Sequence, residues 1–245
     1  MSGGARDRNE PWVCPRCEGA GFVLDSNDEA APCDCHDVRV RRARSQGVSS
    51  VIPKRYRGVS FERFPVTEMA IGNPEVVRAV RRFCDQVEER VENGGGLWFM
   101  GDVGTGKTTL AMLVSKAALD AGRTVAIYSV PHLLARIRDT YDADAREQSY
   151  IEFFRRLVEV DLLHLDDLGT EKQTDWVLEQ LYSLVNQRYE EQRSIVLTTN
   201  LDFEDLERQI GPRTVSRLVE ICGDPLALFG QDQRIAYDPA RSALG

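Results

Sequence analysis

The stretch Gly101-Asp102-Val103-Gly104-Thr105-Gly106-Lys107-Thr108 decides the fold of this 245-residue chain. It fits the pattern G-x-x-x-x-G-K-[ST], in which glycines let backbone N–H groups curl around nucleotide phosphates. An apolar run at 97–100 precedes it, and 109–119 follows with apolar residues at helical spacing. A strand, this loop and a helix in that order predict a nucleotide site, although a glycine-rich turn without a ligand would share the pattern.

The chemistry of the loop predicts a role for its last residues. Lys107 would pair with the β- and γ-phosphates of a nucleoside triphosphate, and the Thr108 hydroxyl would bind Mg²⁺. The N-terminus of the following helix adds a dipole that favours anions. The candidates for nucleotide binding are Gly101, Asp102, Val103, Gly104, Thr105, Gly106, Lys107, Thr108 and Thr109.

Length and composition describe an ordinary globular protein, with 42% hydrophobic and 29% charged residues. No apolar run approaches the roughly 18 residues that a membrane span needs, and the polar residues 1–12 lack the apolar centre of a secretion signal. We therefore expect a cytoplasmic protein without a membrane partner. The net charge of −8 argues against non-specific coating of nucleic acid but permits a local basic surface.

Four cysteines crowd into a short N-terminal segment as Cys14-x-x-Cys17 and Cys33-x-Cys35. Thiolates at these spacings can surround one tetrahedral Zn²⁺ ion, with a small hairpin from 21–24 to 30–32 between the two pairs. His36 can replace Cys33 or Cys35 as a ligand. An iron–sulfur cluster or a redox pair is less compatible with the spacings. The segment is therefore predicted to be a zinc module.

Basic residues concentrate between residues 39 and 63, where Glu62 is the only acidic residue. Residues 39–46 can form a basic helix, and 52–64 interleaves basic residues with Tyr56, Phe61 and Phe64. Such interleaving can bind single-stranded nucleic acid, or it can form an arm whose aromatic rings are buried on the main domain. We favour the packed arm, while a solvated linker would explain the charge equally well.

Apolar runs and amphipathic segments alternate along the rest of the chain. Strands are predicted at 97–100, 124–128, 162–165, 194–200 and within 226–237. Helices are predicted at 73–91, 109–119, 132–141, 150–158, 174–190, 203–210 and 213–222. The alternation predicts an α/β fold with a parallel sheet and helices on both faces. Together with the phosphate loop, this predicts a P-loop NTPase fold. We divide the chain into a zinc module with a basic helix at 1–46, a linker or arm at 47–72, and an ATPase domain at 73–245.

Polar residues follow two of the predicted strands and should meet the phosphate loop at one edge of the sheet. Asp166 would hold Mg²⁺, Asp167 would orient or deprotonate the attacking water, and Asn200 would help to position it. An acidic pair after a strand can also be a simple turn. His164, inside the same strand, is predicted to be a core histidine.

Nucleotide hydrolysis needs a positive charge near the γ-phosphate, and an arginine from a neighbouring subunit can supply it. Arg213 and Arg217 lie four residues apart on one helix face. Arg217 is the first candidate for this arginine finger and Arg213 the second, while a surface ion pair is the alternative.

These motifs together resemble the AAA+ ATPases of the DnaC/IstB group. The resemblance rests on the phosphate loop, the segments 163–169, 197–200 and 213–218, and the arm Ile52-Pro53-Lys54-Arg55-Tyr56 with Ser60-Phe61-x-x-Phe64. It covers roughly residues 13–237. The cysteine module makes the chain more similar to DnaC/DnaI-type replicative helicase loaders than to the transposase helper IstB. Asp167 departs from the Glu of many AAA+ proteins, and no C-terminal lid helices are evident.

The resemblance implies an ATPase that binds a hexameric replicative DNA helicase and delivers it onto single-stranded DNA. It implies ATP, Mg²⁺ and Zn²⁺ as cofactors, self-assembly into an ATP-dependent oligomer, and DNA contacts near Arg136 and Arg138. Turnover would be slow and stimulated by assembly on DNA. The alternatives are an IstB-like helper of a transposase and, because Asp167 is one methylene shorter than Glu, a nucleotide-gated scaffold with little turnover.

Overall fold

The computed structural model describes residues 14, 16–17, 22–24, 30–33, 35, 52–140 and 147–230. The chain divides into two compact units, Met1–Ala43 and Arg44–Gly245. The predicted basic helix at 39–46 lies outside the described residues. The domain boundaries at 46 and 72 stay predictions, while the arm from residue 52 shares the second unit with the sheet.

A small hairpin forms the described secondary structure of the first unit. Its strands are β1 (Phe22–Leu24) and β2 (Ala30–Pro32). They pair antiparallel, with Val23 opposite Ala31. The hairpin predicted between the two cysteine pairs is therefore present in the structure.

Five parallel strands form the sheet of the second unit, in the order β4-β5-β6-β3-β7. The strands are β3 (Leu97–Gly101), β4 (Val125–Ser129), β5 (Leu162–Leu168), β6 (Ser194–Thr199) and β7 (Leu226–Leu228). Only the first part of the last predicted strand is tested, since residues 231–245 lie outside the description. The parallel P-loop NTPase fold predicted from the sequence is confirmed.

Nine described helices connect the strands and cover the sheet. They are α1 (Val66–Gly72), α2 (Pro74–Asp85), α3 (Val87–Glu92), α4 (Lys107–Asp120), α5 (Val130–Asp139), α6 (Glu147–Glu159), α7 (Asp175–Glu190), α8 (Phe203–Ile210) and α9 (Pro212–Cys222). The helix predicted at 203–210 is present as α8, and Asp202 caps its N-terminus, because the Asp202 Oδ1 accepts the N–H of Asp205 at 2.7 Å.

Alternating side chains along the buried strands point into two apolar cores, one on each face of the sheet. In β3, Trp98 belongs to one core and Phe99 to the other, and both are fully buried. In β5, Leu163 and Leu165 join the core of Trp98, whereas Leu162 joins that of Phe99. This period-two alternation separates the faces, and it also places His164 and Asp166 on the same face as Leu162.

Two helical details differ from the sequence predictions. The single helix predicted over 73–91 is interrupted at Gln86, where φ is −113° and ψ is 22°. Phe83 and Val87 are buried on either side of this break and keep the spacing of a continuous helix. The apolar pattern of the sequence therefore does not reveal the break. The short α1 was not predicted, because only Val66 and Met69 of its residues are buried.

The arm packs against the apolar core that contains Phe99, but the predicted burial of one of its aromatic rings is wrong. Tyr56 and Phe61 are half-buried against that core, as the packed-arm interpretation expects. Phe64 is 44% exposed instead of buried. Val59 is the buried anchor of the arm, and the sequence did not predict it because a single valine among basic and aromatic residues forms no apolar pattern.

A fully buried arginine of α7 joins the end of α6, the segment before β5 and the start of β6 in the second unit. Arg188 donates from Nη1 to the carbonyls of Leu157, Val158 and Val160 at 2.7–3.0 Å, and from Nη2 to Ser194 O. Burial lowers its pKa to about 9, so the guanidinium stays charged at neutral pH. One cation therefore satisfies several backbone acceptors at the end of α6 that water cannot reach.

We expect Arg188→Met to lower the free energy of unfolding by about 3–5 kcal/mol, because the carbonyls would remain buried without donors. Chemical denaturation measures this loss. Arg208→Ala is the matched control, since the Arg208 side chain is 72% exposed and its replacement should stay within about 0.5 kcal/mol. A loss below about 1 kcal/mol for Arg188→Met would contradict the assigned role.

Candidate functional site

The phosphate loop lies between β3 and α4, as its sequence context predicts. Gly106 has φ of +98°, a conformation that side chains rarely adopt, and a Cβ there would lie 2.5 Å from Met69 Sδ. The positive φ therefore favours glycine at this position, and the flexible Met69 side chain of α1 packs against it. The arm and α1 thus support the loop from outside.

Lys107 is buried and held by the loop itself. Its Nζ donates to Gly101 O at 2.7 Å and to Asp102 O at 2.6 Å, and only 5% of the residue is exposed. Thr105 Oγ1 also donates to Asp102 O, at 2.9 Å. The first residues of the loop therefore bind the lysine that the sequence assigns to the phosphates, which closes the loop in this structure.

A cavity of about 310 Å³ opens above the loop. Val103, Gly104, Gly106, Lys107, Thr108, Thr109, Asp167 and Asn200 are the predicted residues that line it. The lining therefore collects residues from the loop after β3, from α4, from the end of β5 and from the residue after β6, which is the arrangement that the strand ends predict. Of the predicted loop residues, Gly101, Asp102 and Thr105 are not among the lining residues.

The arm also contributes to this cavity, which the sequence interpretation did not predict. Arg55, Tyr56 and Pro65 line it, and Arg55 Cζ lies 4.5 Å from the centre of the Tyr56 ring. Thr170 lines it from the loop after β5. The mixed basic and aromatic pattern of the arm was the available signal, but the pattern does not say which surface the arm covers.

Two carboxylates, those of Asp166 and Asp167, lie near the end of β5 at an irregularity in the strand. The strand was predicted to end at residue 165, yet it continues to Leu168, with a register shift between Leu165 and Leu168. Asp167 has φ of +57° and lines the cavity, whereas Asp166 stays on the face covered by α4. Thr198 Oγ1 accepts the Asp167 N–H at 2.9 Å and donates to Asp166 Oδ1 at 2.8 Å.

The surroundings of Asp166 favour its ionised form. Burial acts to raise the pKa of its carboxyl, but the polar ring of His164 and hydrogen bonds with Thr198 and Thr108 lower it by more. The pKa therefore lies below its usual value. Thr108 is among the groups that lower this pKa, so the two predicted magnesium ligands lie near each other, and a hydroxyl with a carboxylate is the oxygen donor set that Mg²⁺ accepts.

Arg213 and Arg217 lie away from the nucleotide cavity of their own chain. Neither is among the residues that line it. Arg217 Nη1 donates to Glu220 Oε1 at 2.8 Å, and its Cζ lies 4.2 Å from the centre of the Tyr189 ring. Arg213 is exposed. Their predicted role in hydrolysis would thus require a neighbouring subunit.

The two arginines suggested for DNA contact lie over aromatic rings. Arg136 Cζ is 4.9 Å from the ring centre of Phe153, and Arg138 Cζ is 4.9 Å from that of Trp176. Cations stacked in this way present a partly desolvated positive surface on α5.

None of the described helices is both long and apolar enough for a membrane crossing.

The four N-terminal cysteines converge in the first unit. All are buried, and their sulfurs lie within 4.8 Å of one another, with Cys14–Cys33 at 3.9 Å and Cys17–Cys35 at 3.3 Å. A tetrahedral ion with Zn–S bonds of about 2.3 Å separates its sulfurs by about 3.8 Å. The described geometry therefore fits zinc. His36 lies outside the described residues.

We expect one equivalent of zinc per chain, and Cys17→Ser should reduce it several-fold, because a tetrahedral site loses a thiolate ligand. Elemental analysis of the purified protein measures the metal. Cys84→Ser is the matched control, since Cys84 lies in the second unit and its zinc content should not change. Less than about half an equivalent in the unaltered chain would contradict the four-cysteine assignment.

Comparison with known proteins supports the nucleotide site. The family model described as "IstB-like ATP binding protein" matches residues 78–219, more than half of the chain. The chain is 25% identical to the replicative helicase loader DnaC of Buchnera aphidicola subsp. Schizaphis graminum, over 84% of this chain and 83% of the relative. It is 34% identical to the uncharacterized protein YdaV of Escherichia coli K12, but over only 49% of this chain and 47% of YdaV.

Solved structures show the same fold. A crystal structure of the DnaC helicase loader superposes with a TM-score of 0.62 and 26% identity, over 72% of this chain and all of that one. A structure of DnaI superposes with a TM-score of 0.59 and 21% identity, over 75% of this chain and 95% of the other, which supports the fold alone.

Proposed function

The chain belongs to the family of IstB-like ATP-binding proteins, and from this membership we propose that it is an ATP-hydrolysing loader of a hexameric replicative DNA helicase. In this proposal it delivers the helicase onto single-stranded DNA in the cytoplasm. The observation that carries the proposal is the likeness to the replicative helicase loader DnaC, which extends over 84% of this chain and includes more than the ATPase motifs.

The cavity residues would have separate roles in ATP hydrolysis. Lys107 would leave its carbonyl partners and bind the β- and γ-phosphates, while Thr108 and Asp166 would hold Mg²⁺, which neutralises developing charge on the phosphates. Asp167, turned into the cavity by the irregularity in β5, would orient the attacking water with Asn200. The half-buried Tyr56 would cover the bound nucleotide from the arm.

Assembly would complete the site and connect it to DNA. Arg217, with Arg213 as the second candidate, would reach the γ-phosphate held by a neighbouring subunit, so turnover would depend on ATP-dependent oligomers. Arg136 and Arg138 would contact the DNA backbone, where cations supply most of the affinity. The zinc module would dock on the helicase.

A second function is favoured by the family description itself. The matching family model is named for IstB, so a helper of a transposase is the alternative partner role. A nucleotide-gated scaffold with little turnover is the alternative for the enzyme activity, because Asp167 reaches less far toward a water than Glu would.

Co-purification with a purified hexameric helicase, followed by loading onto circular single-stranded DNA, tests the proposal. We expect ATP-dependent capture of the ring and stimulated unwinding by the unaltered chain, and neither with Lys107→Ala. Capture of a transposase without capture of the helicase would favour the alternative. Failure of the unaltered, nucleotide-binding chain to bind or load a helicase ring would refute the loader assignment.

A further inference from the structure

A buried polar pair lies directly beneath the predicted magnesium ligand. Ser115 of α4 and His164 of β5 are both fully buried, and Ser115 Oγ lies 2.8 Å from His164 Nδ1. The neighbours of His164 across the sheet are Ile127 and Val196, which belong to the apolar core on this face. A polar pair in such surroundings costs stability unless its hydrogen bonds are complete, so an incomplete pair suggests a function.

The second ring nitrogen has no hydrogen-bond partner among the described residues, yet it faces a carboxylate. His164 Nε2 lies 3.9 Å from Asp166 Oδ1 and is one of the few buried polar atoms without a bond in that part of the chain. Period-two alternation in β5 explains the approach, because residues 164 and 166 share one face of the strand. The distance is longer than a hydrogen bond, so a shift of about one ångström would complete it.

The Ser115 hydroxyl can either donate to His164 Nδ1 or accept from it, so it can bind either tautomer of a neutral ring. If the serine hydroxyl donates to Nδ1, the proton is on Nε2, and an N–H points toward the carboxylate. The opposite tautomer would place the Nε2 lone pair against the negative Asp166 oxygen, which electrostatics disfavours. The tautomer with the proton on Nε2 can therefore donate a hydrogen bond to Asp166.

We propose that His164 is a positioning residue for the metal-binding carboxylate: with Thr198 it holds Asp166 Oδ1 and leaves Oδ2 for Mg²⁺. Thr198 already donates to the same oxygen at 2.8 Å, so both partners orient the carboxylate from the side of the protein. Such outer partners of metal ligands typically contribute about 10–100-fold in metal affinity. This inference rests on the proposed ATP site.

The test measures binding of a fluorescent ATP analogue as Mg²⁺ is titrated, with a parallel measurement in EDTA. We expect His164→Leu to raise the half-saturating Mg²⁺ concentration about 10-fold or more, with affinity in EDTA unchanged within about two-fold. Binding of Mn²⁺ in the presence of the nucleotide, followed by electron paramagnetic resonance, should weaken in parallel. Ser115→Ala should give a smaller change in the same direction, because the ring loses the hydrogen bond that holds it in place.

Two polar replacements separate positioning from packing. The amide of a glutamine side chain lies near the position of the histidine Nε2, and the amide of an asparagine lies near that of Nδ1. His164→Gln should therefore retain most of the Mg²⁺ response, and His164→Asn should lose it. This pair answers the question even if His164→Leu does not fold. Equal Mg²⁺ dependence in all folded variants would overturn the inference, whereas an unaltered chain that binds no nucleotide would refute the ATP site itself.

Discussion

Lys107→Ala is expected to weaken ATP binding about 100-fold, which corresponds to about 2.7 kcal/mol, and to remove every ATP-dependent property of the protein. The lysine is buried and donates to Gly101 O and Asp102 O in the described structure, so its ammonium group is already beside the cavity. Carbonyl oxygens are weaker partners for an ammonium than phosphate is. Nucleotide would therefore draw the side chain from the loop to the phosphates, and alanine cannot reproduce that gain.

Lys116→Ala is the matched control for this measurement. Lys116 lies on the same helix, but its Nζ donates to Val59 O at 3.4 Å, and it does not line the cavity. In an equilibrium titration with a fluorescent ATP analogue, Lys116→Ala should bind the analogue with the same affinity as the unaltered chain. If Lys107→Ala bound ATP as tightly as the control, the cavity would not be a site for the phosphates.

The sequence predicts the sheet and its phosphate loop well because the signals are local. The residues of the phosphate-loop motif themselves determine the conformation of the loop, and the buried parallel strands are apolar runs of ordinary length. The N-cap Asp202 and the cysteine hairpin are local features in the same sense. In each case the residues that determine the structure are close together in the chain.

The features that the sequence concealed depend on distant contacts. Arg55 and Tyr56 line the nucleotide cavity although they lie far from the phosphate loop in the chain, and no periodicity reports that contact. The continuation of β5 through Asp166 and Asp167 needs Thr198 on the adjacent strand, whose hydroxyl binds both residues. The wrong placement of Phe64 has the same origin, because burial of an arm residue depends on the surface beneath it.

These contacts also place the arm next to the nucleotide cavity. Met69 touches Gly106 of the loop, and Tyr56 lies at the cavity. A ligand that fills the cavity would meet the arm and the loop at once, so the arm is in direct contact with the site.

Arg217→Ala is expected to reduce ATP hydrolysis about 1,000-fold or more in assembled protein while leaving ATP binding within about two-fold. In its own chain Arg217 stacks on Tyr189, bonds to Glu220 and does not line the cavity. Hence its effect on hydrolysis must come from a neighbouring subunit, which distinguishes it from Lys107. Turnover in the presence of single-stranded DNA measures the loss, and Arg213→Ala, tested alongside, shows which arginine acts.

A mixture of two inactive variants gives the decisive measurement. Chains with Lys107→Ala retain Arg217 but cannot bind the phosphates, and chains with Arg217→Ala have the opposite defect. When mixed, an Arg217→Ala chain that binds ATP can receive Arg217 from a Lys107→Ala neighbour, so activity should return in proportion to such mixed interfaces. Arg208→Ala mixed with Lys107→Ala controls for dilution, since Arg208 is an exposed arginine of α8. No recovery on mixing, or full activity of Arg217→Ala alone, would show that hydrolysis is completed within one chain.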